Sequence, residues 1–206
     1  MKPLLESLGD FTLPWINDWA LGRDVEPLRA EIVAGAGGRV LEIGAGTGLN
    51  FQHYRAGVDV TAIEPAGRMR RRAEVRARDS VAHLTLIEGK AGELPFDAGS
   101  FDTVLVTFTL CSIRDLGAAL AEVKRVLKKG GSLRLLEHVK SPDPRVARLQ
   151  RALDPAWRIA LAGCSLVREP AVELERAGFE SVALRAIVLP MPFPVGDGVI
   201  GTAIRG

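Results

Sequence analysis

Five short apolar runs, at 39–43, 58–63, 84–87, 102–107 and 132–139, are separated by stretches whose apolar residues recur at helical spacing. This alternation restricts the fold more than any other feature of the chain. The runs are apolar nearly throughout, not at every second residue, so the sheet they form must be covered on both faces. A helix between successive strands supplies both the crossover and the cover, which predicts a doubly covered parallel α/β sheet. The clearest helical spacing is over 114–129, where Leu116, Leu120, Val123 and Leu127 share a face. Lys128 and Lys129 are predicted in its last turn, with Gly130-Gly131 ending it. A second helix over about 168–177 is predicted to end at Gly178, followed by strands near 179–189 and 198–205. No helix precedes the last strand, so it is expected to pair antiparallel with its predecessor.

A length of 206 residues suits one well-buried domain and is short for two. With 47% hydrophobic and 25% charged residues the chain reads as an ordinary globular protein, and a net charge of +2 gives no ground for a nucleic-acid partner. Cys111 and Cys164, the two cysteines, form no disulfide framework and show no zinc-type spacing, which points to a reducing, cytoplasmic setting. Glu6 and Asp10 interrupt the opening residues, so these make a poor signal peptide, and no 18-residue apolar run exists to cross a bilayer. Residues 1–35 are expected to form a helical N-terminal segment on which Trp15 and Trp19, four apart, share one face. That face either closes over a ligand or packs on the body.

Residues 140–167 break the alternation. Pro144 suits a first helical turn and Pro155 is expected to end the helix; Val146, Leu149 and Leu153 form an apolar stripe opposed by Arg145, Arg148 and Arg151. The insertion reads as a surface helix at the sheet edge or as a lid over a site at the carboxyl ends of the strands.

The first strand runs into three alternate glycines in "RVLEIGAGTGLNF" (39–51), with a helix expected from about Leu49. Amides of such a turn approach a ligand closely. The next strand ends in Glu64, twenty residues after Gly44, where a carboxylate can accept from both ribose hydroxyls. Leu49 stands where the dinucleotide fingerprint needs its last glycine, and no Lys-Ser or Lys-Thr follows to make a phosphate loop. The pattern therefore suits a nucleoside carrying a compact charged group.

"VLEIGAGTG", "AIEPAGRM", "GELPFDAGSFDTV" and "LKKGGSL" follow one another across residues 38–139. In order and spacing they resemble the motifs of class I S-adenosylmethionine-dependent methyltransferases. The resemblance implies a seven-stranded Rossmann-like sheet of order 3-2-1-4-5-7-6 with S-adenosyl-L-methionine across the carboxyl ends of the first two strands. By position it implies that Gly44, Ala45, Gly46, Thr47 and Gly48, followed by Asn50 and Phe51, wrap the methionine part, with Glu42 ordering that loop. Glu64, beside Pro65, would hold the ribose and Met69 would touch the adenine. The adenine loop falls at Lys90, Ala91, Gly92 and Glu93, with Lys90 where the family has an aspartate. Lysine cannot accept from the adenine amine, which leaves Glu93 or a backbone carbonyl to do so. Thr107 and Leu110 would lie beside the reacting centre. A narrower likeness, in "TLCS" (109–112), "EHV" (137–139), "LDPAW" (153–157) and "GCSLVRE" (163–169), is to the methyltransferase-like seven group of animal thiol methyltransferases. Those carry a membrane-anchoring N-terminal segment; its expected absence here leaves only peripheral membrane contact.

A thiol acceptor reacts as thiolate, and free thiols titrate near pH 8.5. His138, next to Glu137 at the end of the fifth strand, is the natural candidate base; side chains alternate along a strand, so one of the two faces the cleft. Asp154 is a second base or a helix cap beside Pro155. Cys111, Cys164 and Trp157 line an acceptor pocket or pack in the core, and Arg168 reaches Glu137 or an anionic substrate. No HExxH or carboxylate cluster gives a metal motif, so no metal is expected. The arginine run at 68–78 lacks interleaved aromatics and reads as a solvated helix face, not a nucleic-acid surface. Small-molecule methyl transfer to a thiol is the function expected. The alternatives are a phospholipid amine or quinone-type ring carbon as acceptor, or a nucleoside-binding module without activity.

Overall fold

The computed structural model describes Asp18 and residues 22–206, so Trp15 and Trp19 lie outside the described residues. The strands are β1 (Arg39–Ile43), β2 (Asp59–Ile63), β3 (His83–Ile87), β4 (Phe101–Thr107), β5 (Leu127–His138), β6 (Glu180–Val188) and β7 (Asp197–Ile204). The helices used below are α1 (Glu26–Ala34), α2 (Gly67–Ala77), α3 (Leu116–Val126), α4 (Pro144–Ala160) and α5 (Pro170–Arg176). The strands form one sheet in the order β3-β2-β1-β4-β5-β7-β6; β1 to β5 are parallel and β7 runs antiparallel to both neighbours, as expected.

Period-two alternation sends successive residues of the central strands into different cores. Leu41, Ile43, Val104 and Val106 join Leu120 and Val123 of α3 on one face. Val40 and Leu105 join Ile32 and Val33 of α1 on the other. With both faces buried, a strand such as β4 gains roughly 1.5–3 kcal/mol from each large apolar residue. The registers matter most for function. Ile43 is level with both Ile63 and Val106, so the residues that follow, Gly44, Glu64 and Thr107, emerge side by side at one edge.

Several local expectations fail. The helix expected from Leu49 is a single 3-10 turn, Phe51–His53, and Asn50 just before it is held by the buried network beneath. The 114–129 helix stops at Val126. Leu127 is fully buried and already extended, paired with Phe101, so Lys128 lies on a strand and binds Asp102 at 2.7 Å. Pro155 does not break α4, which runs unbroken from Pro144 to Ala160. The face that α4 buries is Ala147, Gln150 and Asp154, whereas Leu149 and Leu153 of the expected apolar stripe are more than a third exposed. Hydrogen bonds dock the helix instead. Gln150 accepts from Ser141 N and donates to Pro194 O, and Asp154 Oδ1 accepts from Ser165 Oγ and Leu166 N at 2.9 and 2.7 Å. Asp154 is thus a tether for the loop after its own helix, not the cap of a turn.

Candidate active site

A cavity of about 740 Å³ opens where β1, β2 and β4 end. Its first half is built around a glycine turn and the carboxylate of Glu64. Gly44, Gly46 and Gly48 all have left-handed φ, and at Gly44 a Cβ would lie 2.4 Å from Thr109 Oγ1. Only glycine fits there, and its absence of side chain leaves the turn bare toward the cavity. The amides of Gly44 and Ala45 donate to Ile63 O, fixing the turn to the end of β2. Glu64 is 7% exposed; its Oε2 accepts from Gly46 N and its Oε1 from Ala66 N, both at 2.8 Å. Burial raises its carboxyl above the ordinary range, while those two amides pull it back. Each carboxylate oxygen keeps a further lone pair for a hydroxyl donor. Pro65, Met69, Lys90, Ala91, Gly92 and Glu93 also border this half.

A buried polar network carries the turn from below. Glu42 accepts from Asn50 Nδ2 (2.9 Å) and Tyr54 OH (2.7 Å); Arg29 Nη1 donates to Asn50 Oδ1 and Thr107 Oγ1. Burial pushes Glu42 up to about 7 against Tyr54, Asn50 and the Arg29 charge, and draws Arg29 down to about 10. Glu42 and Asn50 therefore order the loop from behind the cavity wall. Thr47 bonds Asp18 at 2.5 Å and Phe51 is fully buried beside Gly48; they too support the turn.

The second half is made of side chains from remote segments. Cys111 follows β4, His138 ends β5, and Trp157, Leu161 and Cys164 come from α4 and the turn beyond it. His138 Nε2 is 3.1 Å from Cys164 Sγ. The sulfur and nitrogen ligand atoms of Cys111, His138 and Cys164 all lie within 4.8 Å of one another, a metal-capable set that local spacing in the sequence could not reveal. The Cys164 thiol is lowered, by its bond with Cys111 and then by His138; Cys111 is raised by the same bond and by burial. Burial favours the neutral imidazole of His138, yet Cys164, Glu137 and Asp154 together hold it above its ordinary value.

Several expected site residues sit elsewhere. Leu110 is buried in the core. Glu137 alternates away from His138, as one of the pair must, and its Oε1 accepts from Thr109 N and Leu110 N at 2.7 and 3.0 Å. Burial pushes that carboxyl up to about 7. It fixes the loop after β4 and is not a cavity wall. Arg168 does not reach Glu137; it donates to Ile113 O and pairs with Glu173 at 3.5 Å. Arg29, Phe108, Met191 and Val195 line the cavity unforeseen. Arg29 sits on an N-terminal helix with no motif, and the other three gave only hydrophobic signals. The arginine run is partly solvated, but Arg70 reaches Glu64 O and Glu88, and Arg72 and Arg76 pair with Asp18.

The geometry agrees with what similar proteins are. Residues 41–135 match the methyltransferase domain family. The chain is 35% identical over 173 residues, 81% of its length and 70% of the relative's, to thiol S-methyltransferase TMT1B of Rattus norvegicus. It is 32% identical over 145 residues (67% and 70%) to phosphatidylethanolamine N-methyltransferase of Cereibacter sphaeroides. A solved SAM-dependent methyltransferase of Thermotoga maritima superposes with a TM-score of 0.70 at 21% identity, covering 96% and 97% of the two chains, which establishes the shared fold. The fold and the glycine–acid turn define a class I S-adenosylmethionine-dependent methyltransferase. Within that class, the chain belongs to the family that includes the thiol S-methyltransferases. Among the described residues no helix is long and apolar enough to cross a membrane.

Proposed function

We propose that this methyltransferase acts on the sulfur of a small thiol. The observation that carries this reading is the division of one cavity into a half built around Gly44–Gly46 and Glu64 and a half lined by Cys111, His138 and Cys164. The first half fits S-adenosyl-L-methionine. The absence of side chains at Gly44 and Gly46 leaves room against the turn, Glu64 retains acceptor capacity for ribose hydroxyls, and Met69 offers an apolar contact for adenine. Lys90 cannot accept from the adenine amine, so that role falls to Glu93 or a backbone carbonyl of the same loop. When bound, the cofactor supplies a methyl group on a cationic sulfur, and transfer leaves the neutral thioether S-adenosylhomocysteine.

The protein's own part is positional. Holding nucleophile and methyl carbon in line removes most of the entropic barrier to a displacement of this kind. Gly44–Gly46 and Thr107 set one partner, while Trp157, Leu161 and Val195 shape an apolar space for the other and keep water out. Residues 140–167 act as the cover of the acceptor half, tethered by Asp154 and Gln150. Thiol-bearing walls and the names of the similar animal proteins both favour sulfur over nitrogen or carbon, and the two free cysteines suit a reducing, cytoplasmic setting. Relatives named for phosphatidylethanolamine and for demethylmenaquinone support the two competing acceptors, a lipid amine and a quinone ring carbon.

Radiolabelled S-adenosylmethionine offered with a panel of alkyl and aryl thiols, phosphatidylethanolamine liposomes and a demethylated quinone tests the reading. Label is expected in the thioethers alone. Label in the lipid or the quinone with none in any thiol overturns it.

A further inference from the structure

Cys111, His138 and Cys164 stand far apart in the chain, yet their ligand atoms all fall within 4.8 Å of one another at the cavity wall. Two thiols and an imidazole are the donor set of a zinc site with three protein ligands, and a site with three ligands keeps its fourth position for substrate. We propose that these residues bind a zinc ion whose open position, facing the cavity, takes the acceptor's sulfur as a thiolate. The proposal rests on the thiol reading above for the identity of that fourth ligand, but the metal site itself does not depend on it.

Three observations carry it. The first is spacing: zinc–sulfur and zinc–nitrogen bonds of about 2.3 and 2.0–2.1 Å place tetrahedral ligands roughly 3.5–3.8 Å apart. His138 Nε2 and Cys164 Sγ already stand at 3.1 Å, so small side-chain rotations suffice. The second is rigid support. His138 is paired to Gly198 across β5 and β7. The amide of Ser165, next to Cys164, donates to the carbonyl of Cys111 itself at 2.9 Å, joining the two cysteine-bearing segments. Left-handed Ala162 and Gly163 turn the chain back so that Cys164 faces the cavity, and a Cβ at Gly163 would meet Ser112 O at 3.3 Å. The Asp154 tether holds the other side of the same turn. The third is access: Cys111, His138 and Cys164 all border the cavity that Gly44 and Glu64 border.

The chemistry balances. The acceptor thiol gives its proton to solvent on coordination and its sulfur bonds to zinc. Two protein thiolates already neutralise the ion, so the third thiolate carries a net negative charge and remains nucleophilic. After methylation the acceptor is a neutral thioether, a weaker ligand that leaves. Zinc would thus hold the acceptor sulfur ionised near neutral pH and fix it against the cofactor half, a role that no buried base need fill.

The test uses the full chain produced in zinc-supplemented medium and purified under reducing conditions. About one zinc per chain is expected by elemental analysis, lost in Cys111→Ser/Cys164→Ser and strongly reduced in His138→Gln. Binding of S-adenosylhomocysteine by each variant checks that the fold is intact. Cobalt(II) put in place of zinc is expected to give a sulfur-to-metal charge-transfer band that shifts when a thiol is added. A wild-type chain that stays metal-free, a cobalt complex without that band, or a Cys111–Cys164 disulfide in fresh metal-free protein overturns the site. A cobalt spectrum unmoved by any thiol overturns the role given to the fourth position. A zinc-loaded chain that binds S-adenosylhomocysteine but methylates no thiol leaves the metal site standing and removes the thiol reading alone.

Discussion

The two halves of the cavity are built on opposite plans. The cofactor half comes from three adjacent strand ends and centres on a glycine turn fixed by its amides to Ile63 O and Glu64 and supported by Glu42, Asn50, Thr107 and Arg29. The acceptor half comes from segments as distant as Cys111 and Val195. On the proposed reading, the first half meets a constant cofactor and the second the variable acceptor.

Substitutions that break one half should therefore spare the other. The largest effect is expected from Gly44→Val. Its side chain would collide with Thr109, and its φ of +72° is a left-handed one that a β-branched residue resists. Calorimetry should find no S-adenosylhomocysteine binding, with stability lowered by about 2–3 kcal/mol. Beneath the turn, Glu42 makes stability depend on pH. Its folded value of about 7 lies above the ordinary 4.5, so its contribution is fully present below pH 4.5 and is lost as pH rises through 7. Glu42→Gln should remove a loss on the order of 3 kcal/mol over that window, seen as a flatter profile in urea unfolding between pH 5 and pH 8. Glu64→Gln weakens what holds Gly46 and the ribose together. About 2 kcal/mol of cofactor affinity should go, roughly thirtyfold in Kd, with the thiol KM unchanged. Smallest is Asp154→Asn, which weakens the charge-assisted bonds to Ser165 and Leu166 by about 1 kcal/mol. It should raise the thiol KM severalfold and leave S-adenosylhomocysteine binding intact.

The same contrast explains what was legible in the sequence. Sheet order was legible through the family resemblance and the antiparallel last strand through the missing crossover helix, while the residues from Gly44 to Glu93 that border the cavity lie in contiguous motifs. Thr47, Gly48, Asn50 and Phe51 fell in the right motif but support the turn from behind, a distinction that only tertiary packing makes. Asp154 and Arg168 were misplaced because a polar side chain in an insertion carries no local sign of its partner. The convergence of Cys111, His138 and Cys164 was invisible for the same reason, since strand register and a left-handed turn bring them together while sequence spacing does not.

The most direct test is to measure, on Cys164→Ser, the affinity for S-adenosylhomocysteine and kcat/KM for a small thiol together. The division of labour predicts an affinity within about twofold of wild type and a kcat/KM at least about tenfold lower. A variant that loses both in parallel, or one that methylates thiols as well as wild type does, contradicts it.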